Sequence, residues 1–177
     1  MRHTRRGRPR VDRPKIDLGT PELQARRQFA VGPRRKNPDG ELWPEPDVKD
    51  AEHALGVLLW RGELDTNYDT AKRMYDAGVA FAGWWRVCYP KASPTGTLGA
   101  LMPGSSATPD LDDAREHLRL ASRHLSKSRC VLDAVINAVV YGLIQPRKYG
   151  HLRFGLTKLI EWMKSPEAIA LRQKRAA

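Results

Sequence analysis

The stretch Leu111-Asp-Asp-Ala-Arg-Glu-His-Leu-Arg-Leu-Ala-Ser-Arg-His-Leu125 decides the fold class. Leu111, Ala114, Leu118, Ala121 and Leu125 follow one another at spacings of three, four, three and four. That repeat lays an apolar stripe along one helical face, which the element must then bury. Asp110 starts the helix, and Asp112 and Asp113 place negative charge in its first turn, where the helix dipole favours it. Downstream, Cys130 to Leu143 carries Val131, Leu132, Val135, Ile136, Val139 and Val140 on nearly every side. A helix of that kind belongs at the centre of a bundle. Its Val and Ile content leaves a strand as the alternative. Gln145-Pro146 is expected to end it.

Moving outward from this pair, the same pattern continues on both sides. A helix is expected from about His151 to Lys164, burying Leu152, Leu156, Leu159 and Met163, with Pro166 opening a short basic terminal helix. Upstream, residues 90–109 are rich in Pro, Gly, Ser and Thr and read as a long loop, either mobile or functional. Before it, a helix is expected from about Asp65 to Tyr89, lined by Tyr68, Ala71, Tyr75, Val79, Ala82 and Trp84/Trp85 and ended by Pro90. An earlier helix begins at the N-cap Asp47, carries Val48, Ala51, Leu55 and Leu58/Leu59, and stops at Gly62. The class is therefore all-α, a bundle of five or six helices spanning 47–164, followed by a basic tail helix over 165–177.

Residues 1–46 read as a disordered basic arm. Prolines at 9, 14, 21, 33, 38, 44 and 46 prevent a long helix. A short one is expected at 20–31, where Thr20-Pro21-Glu22 supplies an N-cap, a proline at the first position and an acid. Asn37-Pro-Asp-Gly40 is turn chemistry.

Charge is placed unevenly. Of 177 residues with net charge +11, residues 1–15 hold seven Lys/Arg against one acid, and 146–177 hold eight against two. The remaining 16–145 are close to neutral, with 16 basic and 17 acidic residues. Two positive ends around a neutral middle fit a body with arms that attract a polyanion. The apolar run Val131–Ile144 is too short for a bilayer and contains Asp133 and Asn137, and the N-terminus has no apolar segment of a secretory signal. A cytoplasmic, nucleoid-associated protein is expected, with Cys88 and Cys130 as reduced, buried thiols.

The sharpest local motif is Arg5-Arg6-Gly7-Arg8-Pro9-Arg10. It resembles the AT-hook, whose core is Arg-Gly-Arg-Pro. The minor groove of A·T-rich DNA is narrow and strongly negative, and it draws in arginines. Gly7 lets the backbone lie against the groove floor, and Pro9 pre-extends the chain. Arg6 and Arg8 would then point along the groove in two directions. Arg5, Arg10, Arg13 and Lys15 would hold phosphates, which add affinity without reading sequence. The same arm could serve as a solubilising tail, or fold on RNA.

Two weaker basic features follow. Arg115, Arg119 and Arg123 share one helix face at a spacing of four, a surface that could lie along a phosphate backbone or simply be solvated and partly neutralised by Asp112 and Glu116. Arg147, Lys148, Arg153, Lys158, Lys164, Arg172, Lys174 and Arg175 make a diffuse patch near the C-terminus. The pair 110–126 and 130–143 has the outline of a helix-turn-helix, but the second helix has almost no polar side chains to read base edges. Trp84-Trp85 beside Tyr89 reads as core and, where exposed, as a partner-binding or base-stacking surface.

No enzyme is announced, and no cofactor or small-molecule substrate is expected. His3, His53, His117, His124 and His151 have no metal spacing, and His117 with His124 reads as a surface pair. No glycine-rich phosphate loop follows a strand, and no carboxylate pair stands out.

Several short pieces together resemble a family of uncharacterised proteins from alphaproteobacteria and their phages. They are Asp17-Leu-Gly-Thr-Pro-Glu-Leu23 with Arg26-Arg27, Leu55-Gly-Val-Leu-Leu-Trp-Arg-Gly-Glu-Leu64, Ala71 to Tyr75, Leu132-Asp-Ala-Val135 and Leu152-Arg-Phe-Gly-Leu-Thr-Lys-Leu159. The resemblance implies a regulator of phage or gene-transfer-agent type that acts on transcription, and it supplies no catalytic residues. The expected function is a DNA-binding regulatory protein, with duplex DNA as first partner and the helical body serving a protein partner or self-association. Two other readings fit the same features: an adaptor to a protein such as RNA polymerase, and a ring-forming component of phage DNA packaging.

Overall fold

The computed structural model describes residues 32–46, 50, 53–90 and 110–174. The Arg5–Arg10 motif, the expected helix at 20–31, the N-cap Asp47 and the loop from 91 to 109 lie outside the described residues. The described chain is all-α, six helices packed together without a strand among the described residues. We number them α1 (Ala54–Trp60), α2 (Tyr68–Cys88), α3 (Leu111–Leu125), α4 (Arg129–Val139), α5 (Tyr149–Met163) and α6 (Pro166–Lys174). A 3₁₀ turn, Pro146–Lys148, leads into α5.

Each start and stop has a local cause. Helix α1 ends where the sequence places the stop. Gly62 has φ +64°, and its N–H donates to the Leu59 carbonyl at 2.8 Å while the Glu63 N–H reaches back to Leu58 at 2.9 Å. That pair of bonds is a Schellman motif, which satisfies carbonyls the helix end leaves open. Helix α2 starts three residues later than expected. The Asp65 carboxylate accepts from the Asn67 N–H at 2.8 Å, and the Asn67 side chain in turn caps α2 by accepting from the Thr70 N–H at 3.2 Å. Asp65 therefore builds the turn before the cap and is not itself the cap.

The 130–143 run is a helix, not a strand, but a shorter one than expected. It ends at Val139 because Gly142 takes φ +66° and the Leu143 N–H turns back to the Asn137 carbonyl at 2.8 Å. The chain is thus released before Pro146, leaving Leu143 exposed.

Helices α2 and α5 form the centre. α2 packs on α1, α3, α4 and α5, and α5 packs on α2, α3, α4 and α6. α4 buries Val131, Ala134, Val135, Ala138 and Val139 against them, while Leu132 and Ile136 stay half-covered. The α3 stripe buries as expected at Ala114, Leu118, Ala121 and Leu125, whereas Leu111, at the helix start, remains exposed. In α5, Leu152, Leu156 and Leu159 are buried together with Trp162, and Met163 is only partly so. α6 seats Ala168 in the core, its first turn held by the Ser165 hydroxyl, which accepts from the Ala168 N–H at 3.3 Å.

The arm drawn as residues 1–46 includes a segment, 32–46, that belongs to the body. Trp43 is 1% exposed and meets Tyr68 edge-on at 5.4 Å between ring centroids. Asn37 to Gly40 make the expected turn, with the Gly40 N–H on the Asn37 carbonyl at 2.9 Å, closed by an antiparallel bridge between Lys36 and Leu42. The Asn37 side chain accepts from the Tyr68 N–H at 2.9 Å, which ties this turn to the start of α2. A buried indole and a tertiary cap outweigh the loop-like composition of the segment.

Candidate nucleic-acid interface

The nucleic-acid residues read from the arm, Arg5, Arg6, Gly7, Arg8, Pro9, Arg10, Arg13 and Lys15, lie outside the described residues. The helical body carries the secondary features. On α3, Arg115, Arg119 and Arg123 do share one exposed face. Two of the three hold their own acids. Arg119 donates through Nε and Nη2 to both oxygens of Glu116 at 2.8 and 2.7 Å, a two-toothed pair that holds the guanidinium above its usual value. Arg115 reaches the Asp112 carboxylate only loosely, at 3.4 Å. The face is therefore partly neutralised, and Arg115 keeps most of its donors available.

Of the C-terminal basic residues, Lys158 and Arg153 take partners on the body. Lys158 pairs with Glu161 at 2.5 Å and lies over the Phe154 ring. Arg153 turns toward α1 and donates from Nε to the Glu63 carbonyl at 2.6 Å. Near the same corner, the Arg35 side chain passes over Gly62, where a Cβ would meet its Cδ at 3.0 Å. Arg34 donates to the Trp43 carbonyl. Arg153 thus ties α5 to the turn after α1, Arg34 closes the 32–46 segment on itself, and Arg35 brings that segment over the same turn. The side chains of Arg172 and Lys174, and residue Arg175, lie outside what is described.

The helix-turn-helix outline does not produce a reading head. The second helix of the pair, α4, spends its buried face on α2 and α5 and has only a short exposed edge.

The aromatic pair on α2 is half-buried, and its two rings meet different neighbours. Trp84 lies flat against His117, with centroids 4.9 Å apart and planes 8° from parallel, and meets Trp162 edge-on at 5.4 Å. His117 is therefore a core residue and not half of a surface pair. It sits three residues after Ala114 and four before Ala121, on the flank of the buried stripe. Trp85 turns the other way, toward Tyr89, with centroids 4.9 Å apart, and Tyr89 is half-exposed. Trp85, Cys88 and Tyr89 form one wall of an open groove of about 550 Å³; Arg115, Leu118, Arg119 and Ser122 form the other.

The thiols also differ from expectation. Cys130, one residue into α4, is exposed, and Cys88 is only partly covered. Both are free. Burial pushes the Cys88 thiol up, and the Arg115 guanidinium opposes that with a smaller pull down. Among the described residues, no three His, Cys, Asp or Glu side chains come together to hold a metal ion, and no helix is long and apolar enough to cross a membrane. No family model, no curated protein and no solved structure matches this chain.

Proposed function

We propose that this chain is a DNA-binding regulatory protein of phage type, which contacts DNA through the Arg5–Arg10 segment and uses its helical body for association with a partner or a second copy. The observation that carries the reading is the motif itself, Arg-Arg-Gly-Arg-Pro-Arg, set in an N-terminal stretch with seven basic residues and one acid. Narrow A·T grooves favour that arrangement of inserted arginines, with phosphate contacts on either side. The arginine face of α3 is a second surface on which a phosphate backbone would be welcome.

The test is fluorescence anisotropy on the full chain and on a version lacking residues 1–15, titrated with A·T-rich duplex, G·C-rich duplex and an RNA hairpin at two salt concentrations. The full chain is expected to prefer A·T duplex with a steep salt dependence, and the truncated chain to lose that preference. Equal affinity of the two versions would remove the arm from the mechanism. No duplex binding by either would leave the helical body as a protein-interaction module.

A further inference from the structure

We infer that the groove between the C-terminal turn of α2 and the middle of α3 is a stacking site for one unpaired nucleobase and its phosphate, as presented by single-stranded nucleic acid. The inference deepens the nucleic-acid reading by naming a second site and the form of nucleic acid it takes.

Three features converge there. The first is an aromatic wall. Trp85 and Tyr89 stand one helical turn apart, tilted 44° to each other, and Tyr89 projects with 49% of its surface exposed. Trp85 is half-buried against Phe81 and backs the exposed Tyr89 ring, which offers a π-face to any base, because stacking does not depend on base identity. The second is a cationic wall. Arg115 is 63% exposed and engages Asp112 only at 3.4 Å, so its fork can accept a phosphate; Arg119 has its Nη1 left over beyond the Glu116 pair. The third is size. A volume of about 550 Å³ is within the roughly 300–1,000 Å³ typical of small-ligand sites and open enough for a chain to pass through. The field of Arg115 also reaches across the groove, since it is felt at the Cys88 thiol. Duplex DNA keeps its bases stacked on one another and offers none to this wall.

Two thiols in one chain make the test. Cys88 lines the groove and Cys130 is exposed outside it, so the second serves as internal reference for the first. The full chain is alkylated with iodoacetamide, and modification at each cysteine is followed by peptide mass spectrometry. The probes are thymidine monophosphate, an oligothymidylate of about eight nucleotides, within the span such stacking sites engage, and a duplex of mixed sequence.

At about five times the half-saturating concentration, the oligothymidylate is expected to slow Cys88 about sixfold, as mass action on a covered thiol requires, and to leave Cys130 unchanged. Tyr89→Ala is expected to raise the half-saturating concentration about tenfold, the scale of one lost stacking contact. Arg115→Gln should weaken protection as well, whereas Arg123→Gln, the same charge change outside the groove, should not. Thymidine monophosphate should protect at higher concentration.

The inference is overturned if neither nucleotide probe slows Cys88, if duplex protects as well as the single strand, or if Arg123→Gln weakens protection as much as Arg115→Gln. It is also overturned if Cys88 reacts only in denaturant, since the chain itself would then fill the groove. Anisotropy that still shows arm-dependent duplex binding would separate this failure from failure of the DNA reading.

Discussion

Cys88 shows how far one side chain's chemistry depends on its neighbours. Burial disfavours the thiolate and pushes the group up, and Arg115 favours the thiolate and pulls it partly back. The thiolate is the reactive form, so at any pH below the raised value less of it is present than for a thiol in water. Alkylation of Cys88 is therefore expected to set in at higher pH than that of a free thiol, and Arg115→Gln should move the onset higher still. The rate at Cys88 measured against pH in both chains checks this, and an onset that is unmoved or moves down would contradict it. His117 teaches a related lesson. Its place three residues from Ala114 and four from Ala121 is visible in the sequence, but a stripe made of apolar residues alone passes it by. An imidazole stacked on Trp84 fills a core position as a ring does.

Among the elements, α4 and α5 approach each other closely at a glycine. A Cβ on Gly155 would meet Val135 Cγ2 at 2.5 Å and Val131 Cγ1 at 2.9 Å. Both neighbours are β-branched and stiff at χ1, so neither can swing aside easily. Gly155→Ala is expected to destabilise the fold by about 1–3 kcal/mol despite its better helix propensity, because overpacking outweighs a propensity gain of about 1 kcal/mol. Urea unfolding measures this, and Val135→Ala in the same chain should recover part of the loss. A neutral or stabilised single variant would mean that the two helices have room to part. Helix positions were legible from spacing, and the stop at Gly62 and the opening at Pro166 were legible from local chemistry. The end of α4 was not, because Gly142 and Pro146 both signal a stop and only the backbone path shows that the first acts.

At the level of the whole molecule, Trp43 decides where the body begins. It is among the largest fully buried side chains, and it joins a turn rich in prolines and charges to the start of α2. Trp43→Ala in the full chain is expected to cost about 3–5 kcal/mol, as removal of a large core aromatic does. A change in thermal unfolding too small to resolve would return residues 32–46 to the arm. The basic ends behave differently from the core. Charge at residues 1–15 and 146–177 was plain from composition, whereas only the packed body shows that Lys158 is taken up by Glu161 and Arg153 by the Glu63 carbonyl.

The sequence by itself determined the all-α class, the order and approximate limits of the helices from α2 to α6, the apolar stripe of α3 and the Arg5–Arg10 motif. These are properties of residues close together in the chain, where helical spacing, caps and turn residues act within a few positions. Tertiary structure alone decided that Trp43 is core, that Trp84 meets His117 and Trp162 while Trp85 meets Phe81 and Tyr89, and that Tyr89 and Arg115 line one groove. The physical reason is that those outcomes depend on how α2 and α3 pack. The side chains that meet there lie far apart in sequence, and no periodicity within one helix specifies which face its neighbour will cover.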